Sequence, residues 1–406
     1  MKIVHLIVSV RYMDGWGYQE NTLPQEQLKR GNEITILTTT NSSIKPTERE
    51  KTEGCYELDG IHIIRMKETG FFKQRQFAKY NNICTELEKI LPDLIFVHGV
   101  VFLSIKELDM YCKKHPMTVV LGDTHSDYVN SFNKLVLFNK AYINFYTKRL
   151  YKKYEYLFNT IYYVAPQCKR FLEEIYDANP NILKYLPLSN SPIYEESQIE
   201  SVRVKKRNEL HLLKDDIVFV SGGRHRRSKN ILQLVKGFSN NNAKNSKLIL
   251  FGNWEDEEYK SEVYKEIGGD ERIIDIGWQN NKQIEELFYA SDCGLFPGTQ
   301  SILWRIAVSC GMPVVCHYTE GAEELNLGGN AIILNSDEGI IWNIIIEKMI
   351  NNQSLLLDMK KVANEKGRYF FSNKRLADII DADYHNAISA KLKQKNNNMQ
   401  EKQSDE

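Results

Sequence analysis

The feature that most constrains the fold of this chain is an alternation of short β-branched runs with longer amphipathic stretches. In the first half KIVHLIVSV, EITILTT, IHIIRM, LIFVHG, TVVLGD and IYYVAP read as strands, and in the second DIVFVSGG, KLILFGN, IIDIGW, CGLFPG, PVVCH and AIIL do so. Strands separated by helix-length segments are the mark of βαβ units and a parallel sheet. One hydrophobic core stops growing near ~250–300 residues, so a chain of 406 residues is expected to make two such sheets. The charged stretch from Ser191 to Lys214, which has no strand period, is the expected seam. The expected division is residues 1–195 and 196–375, each a Rossmann-like doubly wound domain. A helix over 376–392 is expected to pack back on the first domain, and the polar tail 393–406 reads as disordered.

Composition removes several functions. Lysines and arginines number 53, as do aspartates and glutamates, so no global field draws the chain to nucleic acid. Seven cysteines with scattered spacing form neither a zinc pattern nor a disulfide framework. The N-terminal apolar run is too short to span a bilayer, and no later window is long enough. A cytoplasmic location is therefore expected, with attachment to the inner membrane face as the alternative.

Open α/β sheets bind ligands at the C-terminal ends of their strands, and two such domains are expected to face each other across a cleft. The turn after the first strand, VRYMDGWGYQEN, lacks the G-x-G-x-x-G of a dinucleotide site. In SGGRHRRSKNILQLVKGF, by contrast, a strand gives way to glycines, a candidate cap at Ser228 and the cations Arg224, His225, Arg226, Arg227 and Lys229. This is anion chemistry suited to a diphosphate, although a merely solvated basic turn has the same composition. His125 in LGDTHSDYVNS follows a strand between Asp123 and Asp127, which would orient it if it is more than structural. Trp278, and likewise Asn253 with Trp254, end strands at a ligand edge, where a tryptophan either stacks on a base or packs. Phe138–Phe158 interleaves cations with aromatics, which suits a core helix first and a membrane surface second.

Arg224 and Lys229 resemble the G-R-x4-K element of retaining family 4 glycosyltransferases with the GT-B fold. DGWGYQENTLPQEQLKRGNEITILTT, PDLIFVHG, DTHSD and IGWQNNKQIEELFYASDCGLFPG resemble further segments of that family, in order. GWGYQEN, the D-x-H-x-D loop and PGTQSILW are most similar to the branch found in bacterial surface-polysaccharide clusters. The resemblance implies metal-independent, retaining transfer from a nucleoside-diphosphate sugar, with UDP as the expected nucleotide and no other cofactor. The acceptor would be a saccharide or a lipid-linked saccharide. His125, Arg224 and Lys229 would be catalytic. Gly17, Asn253, Trp278, Gln279, Ser301, Ile302, Leu303, Arg305 and Glu323 would bind the donor, and Tyr18, Glu20 and Asp127 would lie on the acceptor side. The chain departs from the family in PGTQSILWRIAVSCGMPVV, where two glutamates are missing and Arg305 falls at a ribose-binding position. A cation cannot accept hydrogen bonds from ribose hydroxyls. Arg305 is expected to pair with a donor anion or with Glu320, Glu323 or Glu324. The alternative is a catalytically lapsed protein of the same fold, serving as a binding or partner subunit.

Overall fold

The computed structural model describes residues 1–40, 53–69, 79–128, 131, 143–190 and 192–404. The chain divides into two compact units, Met1–Pro187 with Leu376–Glu406 and Leu188–Arg375. The stretch expected as a seam instead carries the helix Ile199–Glu209 within the second unit.

The sheet of the first unit contains β1 (Lys2–Ile7), β2 (Glu33–Thr39), β3 (Gly54–Leu58), β4 (Ile61–Met66), β5 (Leu94–His98), β6 (Val119–Thr124), β7 (Thr160–Tyr163) and β8 (Leu183–Tyr185). Their order is β3-β4-β2-β1-β5-β6-β7-β8, and the β3–β4 pair alone among them is antiparallel. Burial on both faces of a parallel sheet explains why β5 and β6 are buried along their whole length. The chain reverses direction across the sheet between β1 and β5, so the ends of these strands form a switch point.

In the second unit β9 (Ile217–His225), β10 (Ser246–Trp254), β11 (Ile273–Asp275), β12 (Cys293–Phe296), β13 (Val314–His317) and β14 (Ala331–Leu334) form a parallel sheet ordered β11-β10-β9-β12-β13-β14. Its switch point lies between β9 and β12. The close approach of β9 and β10 depends on glycine: a Cβ on Gly252, whose φ is +128°, would stand 1.8 Å from the Gly223 carbonyl oxygen.

All six strands expected in each half are present, and β3 and β8 are additions. The final helix runs Asn373–Ser404, past Leu392 where the polar composition predicts an end. No proline or glycine falls within it, so nothing in the backbone stops it. No described helix is long and apolar enough to cross a membrane. Residues 138–142 of the aromatic basic segment lie outside the described residues. Of its remainder, Phe145 and Tyr146 are exposed, whereas Tyr151, Tyr154 and Phe158 join the core.

Candidate active site

The second unit brings two strand-to-helix turns together at its switch point. After β9, residues Arg227–Lys229 make a 3-10 turn, Asn230 adopts a left-handed φ of 50°, and the helix Ile231–Ser239 begins only then. Ser228 is thus not the helix cap that the sequence suggests, because the left-handed residue separates it from the helix. After β12 the turn Pro297–Ser301 presses onto this segment. A Cβ on Gly298, at φ +73°, would meet the Ser228 carbonyl oxygen at 2.3 Å and Lys229 Cα at 2.7 Å. Asp337 pins the junction, accepting from Gly298 N at 2.8 Å and from Asn230 Nδ2 at 3.0 Å.

Lys229 lies across the two turns, its Nζ donating to the carbonyls of Thr299 and Gln300 at 2.5 and 2.9 Å. Burial, then the charges of Arg226 and Arg224, pull its ammonium down to about 8. Arg224 is open, 77% exposed at its side chain, with Glu255 Oε1 at 3.7 Å. His225 and Arg227 of the basic run do not join it. His225 is buried against the Trp254 ring, and burial holds it below its usual range. Arg227 turns to the acidic helix Glu257–Ile267, with bonds of 3.0 and 2.7 Å to Glu262.

Around this junction, Trp278 is exposed and Asn253 is exposed beyond the end of the β10 core. Gln279 is half-buried and donates to the Ile276 carbonyl at 3.0 Å. Trp254 is a packing residue, its Nε1 bonded to Asp275 Oδ2 at 2.8 Å. Ser301 caps the helix Ile302–Ser309 and its hydroxyl accepts from Leu303 N at 3.3 Å, so that amide is already engaged. Ile302 is exposed and Leu303 is buried.

Arg305 is 6% exposed, with its guanidinium against Glu324: Nε lies 2.8 Å from Oε1, and Nη2 contacts the same oxygen. Burial pushes the Glu324 carboxyl up, and the adjoining guanidinium opposes that. Glu323, the glutamate expected on the donor side, is exposed beside Tyr318 instead. Gln300, Ser301 and Trp304 share a narrow recess with this pair.

In the first unit Gly15, not Gly17, takes the left-handed conformation of the loop after β1. That loop is held by a buried arginine which the sequence alone did not single out: Arg65 Nη2 lies 2.7 Å from Asp14 Oδ1, and Tyr56 donates to the same carboxylate. Tyr18 is exposed against the Trp16 ring, and Glu20 is buried in the first turn of the helix Gln19–Lys29. His125 follows β6 with Nε2 3.9 Å from Asp123 Oδ2, and Asp127 is half-buried two residues on. Asp123 is fully buried. Burial works against its ionised form, but His98 and His125 hold its carboxyl well below the usual range. Among the described residues no cluster of His, Cys, Asp and Glu is arranged to hold a metal ion.

Residues 202–366 match the family described as glycosyl transferases group 1. No curated protein sequence matches the chain. Among solved structures, HepE of Anabaena in complex with UDP and glucose is 16% identical, with a TM-score of 0.60 over 94% of this chain and 98% of that one. A glycosyltransferase from Rickettsia africae is 15% identical at a TM-score of 0.64, over 95% and 98% of the two chains. WaaG, a glycosyltransferase involved in lipopolysaccharide biosynthesis, is 14% identical at a TM-score of 0.58, over 93% and 99%. The fold is therefore GT-B, two Rossmann-like α/β domains with parallel-sheet cores.

Proposed function

We propose that this protein, a GT-B chain whose second unit matches glycosyl transferases group 1, is a retaining glycosyltransferase. It would move a sugar from a nucleoside-diphosphate sugar, with UDP as nucleotide, to a saccharide or lipid-linked acceptor in surface-polysaccharide synthesis. The observation that carries this reading is the junction at the β9–β12 switch point. There Lys229, with Arg224 and Arg226 in its field, sits beside two strand-to-helix turns inside the matched segment. Cations fixed at such a point oppose the charge that develops on a departing diphosphate, the role a divalent ion has in other transferases. Neighbours of the same fold, such as HepE with UDP and glucose, support the donor class.

In this mechanism the bond from the anomeric carbon to the diphosphate oxygen breaks as the acceptor hydroxyl approaches on the same face. A phosphate oxygen of the donor takes the acceptor proton, so configuration is retained without a protein nucleophile. Arg224 and Lys229 stabilise the leaving group. Trp278 meets the nucleobase, and His125 orients the transferred sugar. Gly17 belongs to the donor side, and Tyr18, Glu20 and Asp127 belong to the acceptor side.

A hydrolysis screen over nucleotide sugars tests this without knowledge of the acceptor. Turnover of one or more is expected and should persist in excess chelator; a strict requirement for magnesium or manganese overturns the metal-free mechanism. Arg224→Ala is the cleaner probe of the leaving-group role, because Lys229 also ties the turn together. It should lower kcat about 10²-fold with an unchanged melting curve. The lapsed-subunit reading predicts neither turnover nor millimolar binding of any nucleoside diphosphate.

A further inference from the structure

Three adjacent strands of the first unit each carry one polar side chain into an otherwise apolar layer: His5 on β1, His98 on β5 and Asp123 on β6. All three are buried at 0% exposure. They lie on the face that holds Ile3, Ile7, Phe96 and Leu121, since side chains two residues apart on a strand share a face. Buried polar groups in such a layer are costly unless each finds a partner.

These side chains partner one another in a row. Gln27, on the helix Gln19–Lys29, places Oε1 2.6 Å from His5 Nε2, and His5 Nδ1 is 2.9 Å from His98 Nε2. His98 Nδ1 is 3.2 Å from Asp123 Oδ2, the same oxygen that lies 3.9 Å from His125 Nε2. The other carboxylate oxygen accepts from Gly99 N at 3.1 Å. The two histidine rings stack on each other, and Phe96 packs at a tilt against both.

Two proton arrangements satisfy these contacts. With the Gln27 carbonyl toward His5, His5 carries its proton on Nε2, accepts from His98, and leaves His98 an imidazolium paired with Asp123. With the Gln27 amide turned the other way, every histidine of the row is neutral, and each donates one step toward the carboxylate. In both, His98 Nδ1 holds a proton, 3.2 Å from Asp123 Oδ2, so its positive end faces the carboxylate. The carboxylate then stays ionised, and its Oδ2 faces the Nε2–H of His125. At 3.9 Å its charge favours the tautomer of His125 that carries the proton on Nε2.

We infer that His98, backed by His5 and Gln27, is a positioning residue that acts through Asp123 to set the tautomer and angle of His125. This rests on the reading of His125 as the residue that meets the transferred sugar. It adds to that reading a reason why β1 and β5 carry buried histidines.

The test separates donation at Nδ1 from mere packing. His98→Asn keeps an amide N–H where Nδ1 stood, and His98→Leu removes it. For nucleotide-sugar turnover, the leucine variant should lower kcat at least about tenfold with little change in donor KM, while the asparagine variant keeps most of the wild-type rate. In a His125→Ala background the leucine substitution should have no further effect on kcat. Equal losses in the two variants, or a leucine loss that persists without His125, would overturn the inference. Nitrogen NMR of the histidine rings needs no substrate. It should show the His125 proton on Nε2 and a proton on His98 Nδ1, with His125 released to a tautomer mixture by His98→Leu. If the wild type turns over no nucleotide sugar, the transferase reading fails and the spectrum alone decides the row; an unprotonated His98 Nδ1 sinks it. If the leucine variant does not fold, a collapsed rate in the asparagine variant, or an unprotonated His98 Nδ1 in the wild type, overturns the inference without it.

Discussion

Arg305 shows how one buried partner changes what a side chain means. The missing glutamates of the PGTQS turn made a cation here puzzling, and the structure supplies its partner from the 3-10 turn Ala322–Leu325. The side chains of Arg305 and Glu324 are only 8% and 10% exposed, so neither charge has water to fall back on. Removing one partner of such a pair leaves the other uncompensated, at about 3–5 kcal/mol. Arg305→Ala should therefore lower unfolding stability by that order in urea titration. Arg305→Glu should be worse, because it sets two carboxylates together. The reversed pair, Arg305→Glu with Glu324→Arg, should regain much of the loss, and a reversed pair no more stable than Arg305→Glu alone would show the two are not coupled. That the acid is Glu324 and not Glu323 was not legible in TEGAEEL. In a 3-10 turn adjacent residues point about a third of a turn apart, so a one-residue difference in phase decides which glutamate meets the helix.

The turn after β9 makes a different prediction, which concerns pH. Lys229 binds an anion only when protonated, and its ammonium titrates at about 8 because burial and the neighbouring Arg226 and Arg224 disfavour the charge. Affinity for UDP should hold below pH 8 and weaken as pH rises through it, approaching a tenfold loss per unit at most, while the diphosphate itself stays fully ionised. Calorimetry at pH 7 and pH 9.5 measures this, and equal affinity at the two would remove Lys229 from the anion site. Arg227→Ala should leave UDP affinity unchanged, since that guanidinium is held by Glu262, Asp256 and Glu258. The strands were legible because β-branched runs such as IVFV and LILF admit few alternatives to a buried sheet. The details of this turn were not: the left-handed Asn230 follows from how Gly298 packs on Ser228 and Lys229, a contact 70 residues away in sequence between Lys229 and Thr299. The histidine row was hidden for the same reason. His5 in KIVHLIV and His98 in LIFVHG look like single interruptions until the register of β1, β5 and β6 sets them side by side.

The first unit is completed by the last helix of the chain. Asn373–Arg375 belong to the second unit and Leu376 onward to the first, within one continuous helix. Leu376, Ala377 and Ile380 are fully buried in the first unit's core, on the same face as Ile3, Phe96 and Tyr162. Burying a leucine and an isoleucine contributes about 3–6 kcal/mol in all. Polar contacts add to it: Arg30 meets Asp378 and Asp381 at 2.9 Å each, and the buried Tyr162 hydroxyl donates to Asp383 at 2.7 Å. Leaving that hydroxyl without its acceptor costs a further ~1–3 kcal/mol. Together these approach the whole stability of an ordinary domain, about 5–15 kcal/mol. A chain ending at Arg375 should therefore lose the cooperative unfolding of its first unit and expose apolar surface to a hydrophobic dye, although every residue of the first-unit sheet is still present. A chain ending at Leu392 keeps all these contacts, including Lys391 Nζ to the Thr118 carbonyl at 2.7 Å, and should melt within a degree or two of full length. Equal melting curves for the two truncations would mean that the first unit folds without this helix. A loss already complete at Leu392 would place the anchoring residues in the polar stretch beyond it.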